Sequence, residues 1–180
     1  MGALLPMLAT VLGALVVPSD LYARRVPNAW LIAALGIASV AAAAQFLAGV
    51  THPVWPSIPG LLTGLASMLP FYALRWMGAG DVKLFATLGF LLGVRALLPI
   101  WIIGCLLTGV HAVAVLLLRR PRFAYGPTVS LIRQHMYASS LWQRSMLARQ
   151  GRVGLPHAAY LGIGTLVVVM HPELMAWRTP

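Results

Sequence analysis

Residues 97–118 read LLPIWIIGCLLTGVHAVAVLLL, and Arg119-Arg120 follow at once. The run holds 22 residues and no Asp, Glu, Lys or Arg. A helix rises 1.5 Å per residue, so about 20 residues cross the hydrocarbon core of a bilayer. The charged dipeptide marks where the run meets water. Working outward, five further apolar runs lie at roughly 2–19, 29–50, 58–77, 82–95 and 154–172. The fourth is short and flanked by Gly93 and Arg95. For it, a re-entrant start is an alternative to a full crossing. The chain is 60% hydrophobic and 9% charged, where a soluble domain carries about 25% charged residues. These features predict an all-α polytopic membrane protein. It is a bundle of about six transmembrane helices forming one domain over residues 1–180. The first run, Ala3 to Val17, has no basic residue before it, unlike a secretory signal peptide, and is read as a retained span.

Charge supplies the orientation. The formal net charge is +10, from 13 Lys+Arg against 3 Asp+Glu. If the spans alternate, Arg24, Arg25, Arg75, Lys83, Arg119, Arg120, Arg122, Arg133, Arg144, Arg149 and Arg152 share one side. The other side keeps Arg95 and Arg178, beside the uncharged Thr51–Ser57 loop. The positive-inside rule makes the first side cytoplasmic and puts both termini outside. The natural partner of such basic connections is anionic lipid, not nucleic acid. In the basic loop at about 119–153, Leu131, Ile132, Met136, Leu141, Trp142, Met146 and Leu147 recur at near-helical spacing. Arg133, Gln134, Ser140, Gln143 and Arg144 lie between them. This predicts an amphipathic helix on the cytoplasmic face, shielding the bundle in preference to docking substrate.

The acidic residues are only Asp20, Asp81 and Glu173. Asp20 ends the first span and Asp81 begins the fourth, on the same predicted face. An Asp at the centre of a membrane helix costs about 2.5–3.5 kcal/mol, less near the interface, and such residues usually mark a functional site. Interfacial ion pairs, Asp20 with Arg24 and Asp81 with Lys83, are the plain structural alternative. The surroundings of each aspartate favour function. The second sits in Met77-Gly78-Ala79-Gly80-Asp81-Val82-Lys83-Leu84. Gly78 and Gly80 leave room where a substrate backbone must pass close by, or permit unusual dihedrals. The first sits in Pro18-Ser19-Asp20-Leu21-Tyr22-Ala23-Arg24-Arg25-Val26-Pro27-Asn28. No His, Cys or acidic cluster has metal-ligand spacing. Of the five histidines, His157 stands out because it opens a span on the aspartates' side. The single Cys105 allows no disulfide within the chain and no CxxC site.

Asp followed by Arg24, Arg25, Pro27 and Asn28, together with the Gly78-Ala-Gly-Asp81 motif, resembles the type IV prepilin peptidases. The resemblance is strongest to the compact form that serves Flp or tight-adherence pili, and it extends over nearly the whole chain. It implies an aspartic endopeptidase with Asp20 and Asp81 as the catalytic pair. Gly78, Gly80, Lys83, Arg24, Pro27 and Asn28 would be the motif residues around substrate access. Lys83 and Arg24 are read as interfacial anchors ahead of charge partners for the pair. The implied substrate is a prepilin or pseudopilin whose hydrophilic leader stays cytoplasmic and whose apolar helix lies in the membrane. The implied place is a bacterial inner membrane, with no cofactor and no metal. Larger members carry a CxxC zinc segment linked to N-methylation. Its absence implies cleavage without methyl transfer. Family members often open the last span with Pro-Tyr-Gly, but Leu155-Pro156-His157-Ala158-Ala159 stands there. A Tyr125-Gly126-Pro127 triplet falls earlier. The competing function is a small ion- or proton-coupled transporter using the two aspartates as a relay. It predicts discontinuous helices in repeated halves, and no repeat is visible. Presenilin-like GxGD proteases fit less well. Ser19, not Tyr, precedes Asp20, and their Pro-Ala-Leu motif is missing.

Overall fold

The computed structural model describes residues 3–50, 55–119, 131, 134–135, 137–149 and 154–176. Among these it is helical, with no strand: α1 (Leu4–Ala23), α2 (Asn28–Leu47), α3 (Ile58–Ala73), α4 (Ala79–Leu92), α5 (Val94–Arg119), α6 (Ser140–Arg149), α7 (His157–Met170) and a 3-10 turn, Pro172–Met175. Several sequence readings fall outside the described residues. They are Arg120, Arg122, Arg133, Arg152 and Arg178 of the charge pattern, the Tyr125-Gly126-Pro127 triplet, Ile132, Met136 and His52.

Three helices, α1, α2 and α5, are long and apolar enough to cross a membrane, and α3 and α7 are apolar but shorter. The chain is a multi-pass membrane protein. α4 has 14 residues, about 21 Å at 1.5 Å per residue, well short of a ~30 Å hydrocarbon core. Its surroundings explain the shortfall. It packs against α1, α2, α3, α5 and α7, and Val82, Leu84, Phe85, Ala86, Thr87, Leu88, Gly89 and Leu91 are buried. A helix that is apolar all round and enclosed by others need not match the lipid. The fourth run, for which a re-entrant start was one alternative, is a central buried helix.

Helix ends depart from the hydropathy limits for identifiable reasons. α1 continues through Pro18 and Asp20 to Ala23, so Asp20 lies inside its last turn. The stop is Arg24 in the left-handed region (φ 52°), whose N–H donates to the Asp20 carbonyl at 3.1 Å. An αL residue just past the last turn is a common helix stop, though glycine is the usual occupant. Pro27, with φ −65°, then sets the start of α2. α4 begins at Ala79, three residues before the apolar run. The Asp81 side chain accepts from the Gly78 N–H at 3.1 Å, and the Asp81 N–H donates to the Gly78 carbonyl at 3.1 Å. Hydropathy misses this first turn because its polar side chain serves the backbone.

The bundle has two close crossings. α3 lies on α4 where Gly60 faces Gly89. A Cβ on Gly60 would stand 2.0 Å from the Gly89 carbonyl oxygen, and one on Gly89 would stand 2.2 Å from the Gly60 oxygen. Only glycine allows such an approach, the small-residue packing typical of membrane helices. On the other side α7 runs antiparallel to α1 and packs between α1 and α5. α2 packs against α1 and α4 but not against α3.

The longest described stretch of the basic loop ends in α6. Arg149 anchors it, donating from Nη2 to the Leu21 carbonyl (3.1 Å) and from Nε to the Tyr22 carbonyl (3.3 Å). These are the unsatisfied carbonyls at the C-terminus of α1, where a cation is favourable. Trp142 lies under the guanidinium, 5.8 Å from it, and Ser145 is buried. Met146 and Leu147 of the expected apolar face are exposed.

Candidate active site

Asp20 and Asp81 line one cavity of about 520 Å³. Asp20 comes from the last turn of α1 and Asp81 from the first turn of α4. The α1–α2 turn contributes Arg24, Arg25, Val26 and Asn28, and the start of α4 contributes Gly78, Ala79, Gly80 and Lys83. Every motif residue singled out in the sequence except Pro27 reaches this cavity. Pro27 acts one step back, by starting α2.

Asp20 is buried, with 6% of its surface exposed. Its Oδ2 accepts the Ala159 N–H at 3.0 Å, a bond spanning 139 residues of sequence. The first N–H groups of any helix lack intrahelical partners and carry its positive end. A carboxylate from α1 therefore satisfies the start of α7. The Ala158 N–H faces both Asp20 and Asp81. Asp81 in turn sits at the start of its own helix, facing the Gly78 N–H. Each carboxylate is thus placed where oriented N–H dipoles favour negative charge.

The simple ion pairs do not form. Among the described residues the one side-chain ion pair is His171–Glu173, at 2.9 Å. Arg24 instead donates from Nη1 to the Gly154 carbonyl. Lys83 Nζ donates to Asn28 Oδ1 at 3.4 Å. The third acid is thus spent at the far end of α7. Hydrogen bonds from its own backbone N–H and from His171 hold the Glu173 carboxyl below the usual range.

Gly78 and Gly80 occupy the cavity wall, but unusual dihedrals are not the reason. Gly78 has φ −78° and ψ 151°, and Gly80 is not among the positive-φ residues. Without side chains they leave that wall open. A Cβ on Gly80 would meet Val26 first, at 3.4 Å, and one on Gly78 would meet Asp81 Oδ2 at 3.5 Å.

The sequence reading missed Leu155 as a lining residue and underweighted His157, which also lines the cavity. His157 Nδ1 meets Thr108 Oγ1 at 2.8 Å, and between the same two helices His111 Nδ1 meets the Tyr160 hydroxyl. The only signal in the sequence was the polar residue after Pro156 at the start of a span. Among the described residues no group of three or more His, Cys, Asp or Glu could hold a metal ion.

The model of the type IV leader peptidase family matches residues 6–113, more than half of the chain. The chain belongs to that family. No curated protein and no solved structure matches. The matched part of this leader peptidase carries both aspartates, α1 from Pro6 onward, and all of α2, α3 and α4. α6 and α7, which supply Arg149, His157 and the Ala159 N–H, lie beyond it, as does Leu155 just before α7.

Proposed function

We propose that the chain is an aspartic endopeptidase that removes the leader from a type IV, Flp-like prepilin or pseudopilin. The place proposed is the cytoplasmic face of a bacterial inner membrane. The observation that carries this reading is the pair of aspartates lining one cavity at one end of a membrane bundle. Two carboxyl groups on one cavity favour sharing a proton, because like charges close together resist joint ionisation. The ionised one takes a proton from water as the water oxygen attacks the scissile carbonyl. The protonated one gives its proton to the carbonyl oxygen. Collapse of the tetrahedral gem-diol breaks the C–N bond; the proton just taken passes to the leaving amine, and one gem-diol hydroxyl returns its proton to the other aspartate as the new carboxyl group forms. Which aspartate holds which role is a property of the pair. These steps call for no metal or cofactor. Family membership favours hydrolysis over an ion relay.

The direct test is incubation of purified protein with a leader-bearing precursor, which should be cut once at the end of its leader. Failure to cut any such precursor in active lipid or detergent would overturn the reading. Two Gly80 variants refine it. Gly80→Ala fits beside Val26 and should cut at a rate within about twofold of wild type. Gly80→Leu extends into the cavity and should lose ~10-fold or more, equivalent to about 1.4 kcal/mol. A Leu variant as fast as wild type would show that nothing passes beside that residue. For orientation, single cysteines at Val50 and at Ala138 in a Cys105→Ala background should be labelled by an impermeant reagent from opposite sides. Ala138 should react only from the cytoplasm. Labelling of both from one side would refute the proposed face.

A further inference from the structure

A second cavity, of about 340 Å³, opens between α2 and α3. It exists because these two helices do not pack on one another. Its floor is the buried helix α4, through Ala86 and Thr87, and its walls include Ile32 and Leu35 of α2 and Leu61 and Leu65 of α3. The wall is apolar except at one end. There Asn28 and Lys83, which hydrogen-bond to each other at 3.4 Å, line both this groove and the cavity of the aspartates. Ala86 lies five residues beyond Asp81, about 7.5 Å along the helix. One continuous track thus runs from two carboxylates, past a Lys–Asn seam, into an apolar slot facing the lipid.

We propose that this groove is the docking track for an apolar helical segment of the substrate, the segment adjoining the cut bond. This inference rests on the peptidase reading above and specifies how that site takes its substrate. The occupant follows from the shape and chemistry of the track. A ligand filling both ends must be polar at the carboxylates and apolar at membrane depth. A helix is 10–12 Å across, so a slot of this size takes the side chains of one helix face and leaves the rest in lipid. Helix-in-groove recognition works through such a row of anchors. A lipid acyl chain is the competing occupant, and it has no need of the join to the aspartates.

The test compares a precursor with its apolar segment against a short peptide carrying the same cleavage site without it. Ile32, 67% exposed, can be replaced by Trp without disturbing the interior. Ile32→Trp and Leu35→Trp should each raise KM for the precursor about tenfold, leave kcat nearly unchanged and leave cutting of the short peptide unaffected. Val40→Trp, on α2 but outside the groove, should change nothing. In the Cys105→Ala background, Ile32→Cys should form a disulfide with a cysteine placed in the precursor's apolar segment, and Val40→Cys should not. If wild type cuts the precursor but the Trp variants do so with unchanged KM and Ile32→Cys does not cross-link, the groove proposal fails while the peptidase reading stands. Equal slowing on both substrates, relieved by changing acyl-chain length, would assign the groove to lipid and also overturn it. If wild type cuts neither substrate, the peptidase reading fails first.

Discussion

Asp20→Asn and Asp81→Asn should each lower prepilin cleavage by at least about 10²-fold, the contribution usual for a positioned acid or base. The double variant should be little worse than either single one, because groups that act as a unit lose their whole effect at the first substitution. Folding should survive. The amide oxygen of Asn can accept the same bond that Asp20 takes from Ala159 and Asp81 takes from Gly78, and Asn serves helix starts about as well as Asp. Asp20→Ala removes that acceptor and leaves a buried N–H at the start of α7 unpaired. It should therefore lose stability as well as activity, by about 0.5–2 kcal/mol on the scale of lost helix caps. Cleavage rates and thermal unfolding in detergent, measured on the same preparations, separate the two effects. An Asn variant with near wild-type turnover would remove that aspartate from the chemistry, and comparable losses of stability in Asn and Ala would remove the capping role.

Gly60→Ala and Gly89→Ala should be the most destabilising single-methyl additions in the bundle. At each position the added carbon would stand about 2 Å from a backbone carbonyl of the facing helix, and no side-chain rearrangement relieves that. The helices must part. Overpacking costs 1–3 kcal/mol in ordinary cores, and a backbone-on-backbone collision should fall at the upper end, about 3 kcal/mol. Gly36→Ala in α2 is the matched control. A Cβ there meets nothing within 4 Å, so it should be neutral or slightly stabilising through helix propensity. Because α4 carries Asp81, parting α3 from α4 should also slow cleavage at temperatures where the protein remains folded, since displacements near 1 Å cost rate steeply. Equal unfolding temperatures for Gly60→Ala and Gly36→Ala would contradict the close crossing.

Much of this was legible in the chain. The apolar runs that define the spans coincide with α1 to α5 and α7, because long runs without charge have few other outcomes. The cavity residues were legible too, since Asp20, Asp81, Gly78, Gly80, Arg24, Lys83 and Asn28 stand beside recognisable motifs. What escaped was everything decided by tertiary partners. The alternative pairing of Asp20 with Arg24 rested on their spacing of four residues. Arg24 takes a left-handed backbone instead and turns to Gly154. The start of α4 was placed late because a window of hydropathy cannot see an aspartate binding the N–H three residues before it. The gap between α2 and α3 has no local signature at all, since it arises from two helices each choosing α4. His157 was marked by position alone. Its contact with Thr108 depends on α5 and α7 lying side by side.

The bond between Asp20 and Ala159 also orders events in time. α1 is the first described helix to leave the ribosome and α7 the last. From the synthesis of Asp81 until that of α7 the nascent chain therefore holds two aspartates without the helix that covers them. Leu155, His157 and the N–H groups that cradle Asp20 arrive together, when α7 slots between α1 and α5. Completion of the cavity in this sense waits on the insertion of α7. A chain halted before α7 would display the whole family motif and yet lack a finished chamber. A peptidase assembled this way has Asp20 fully partnered only once α7 is in place.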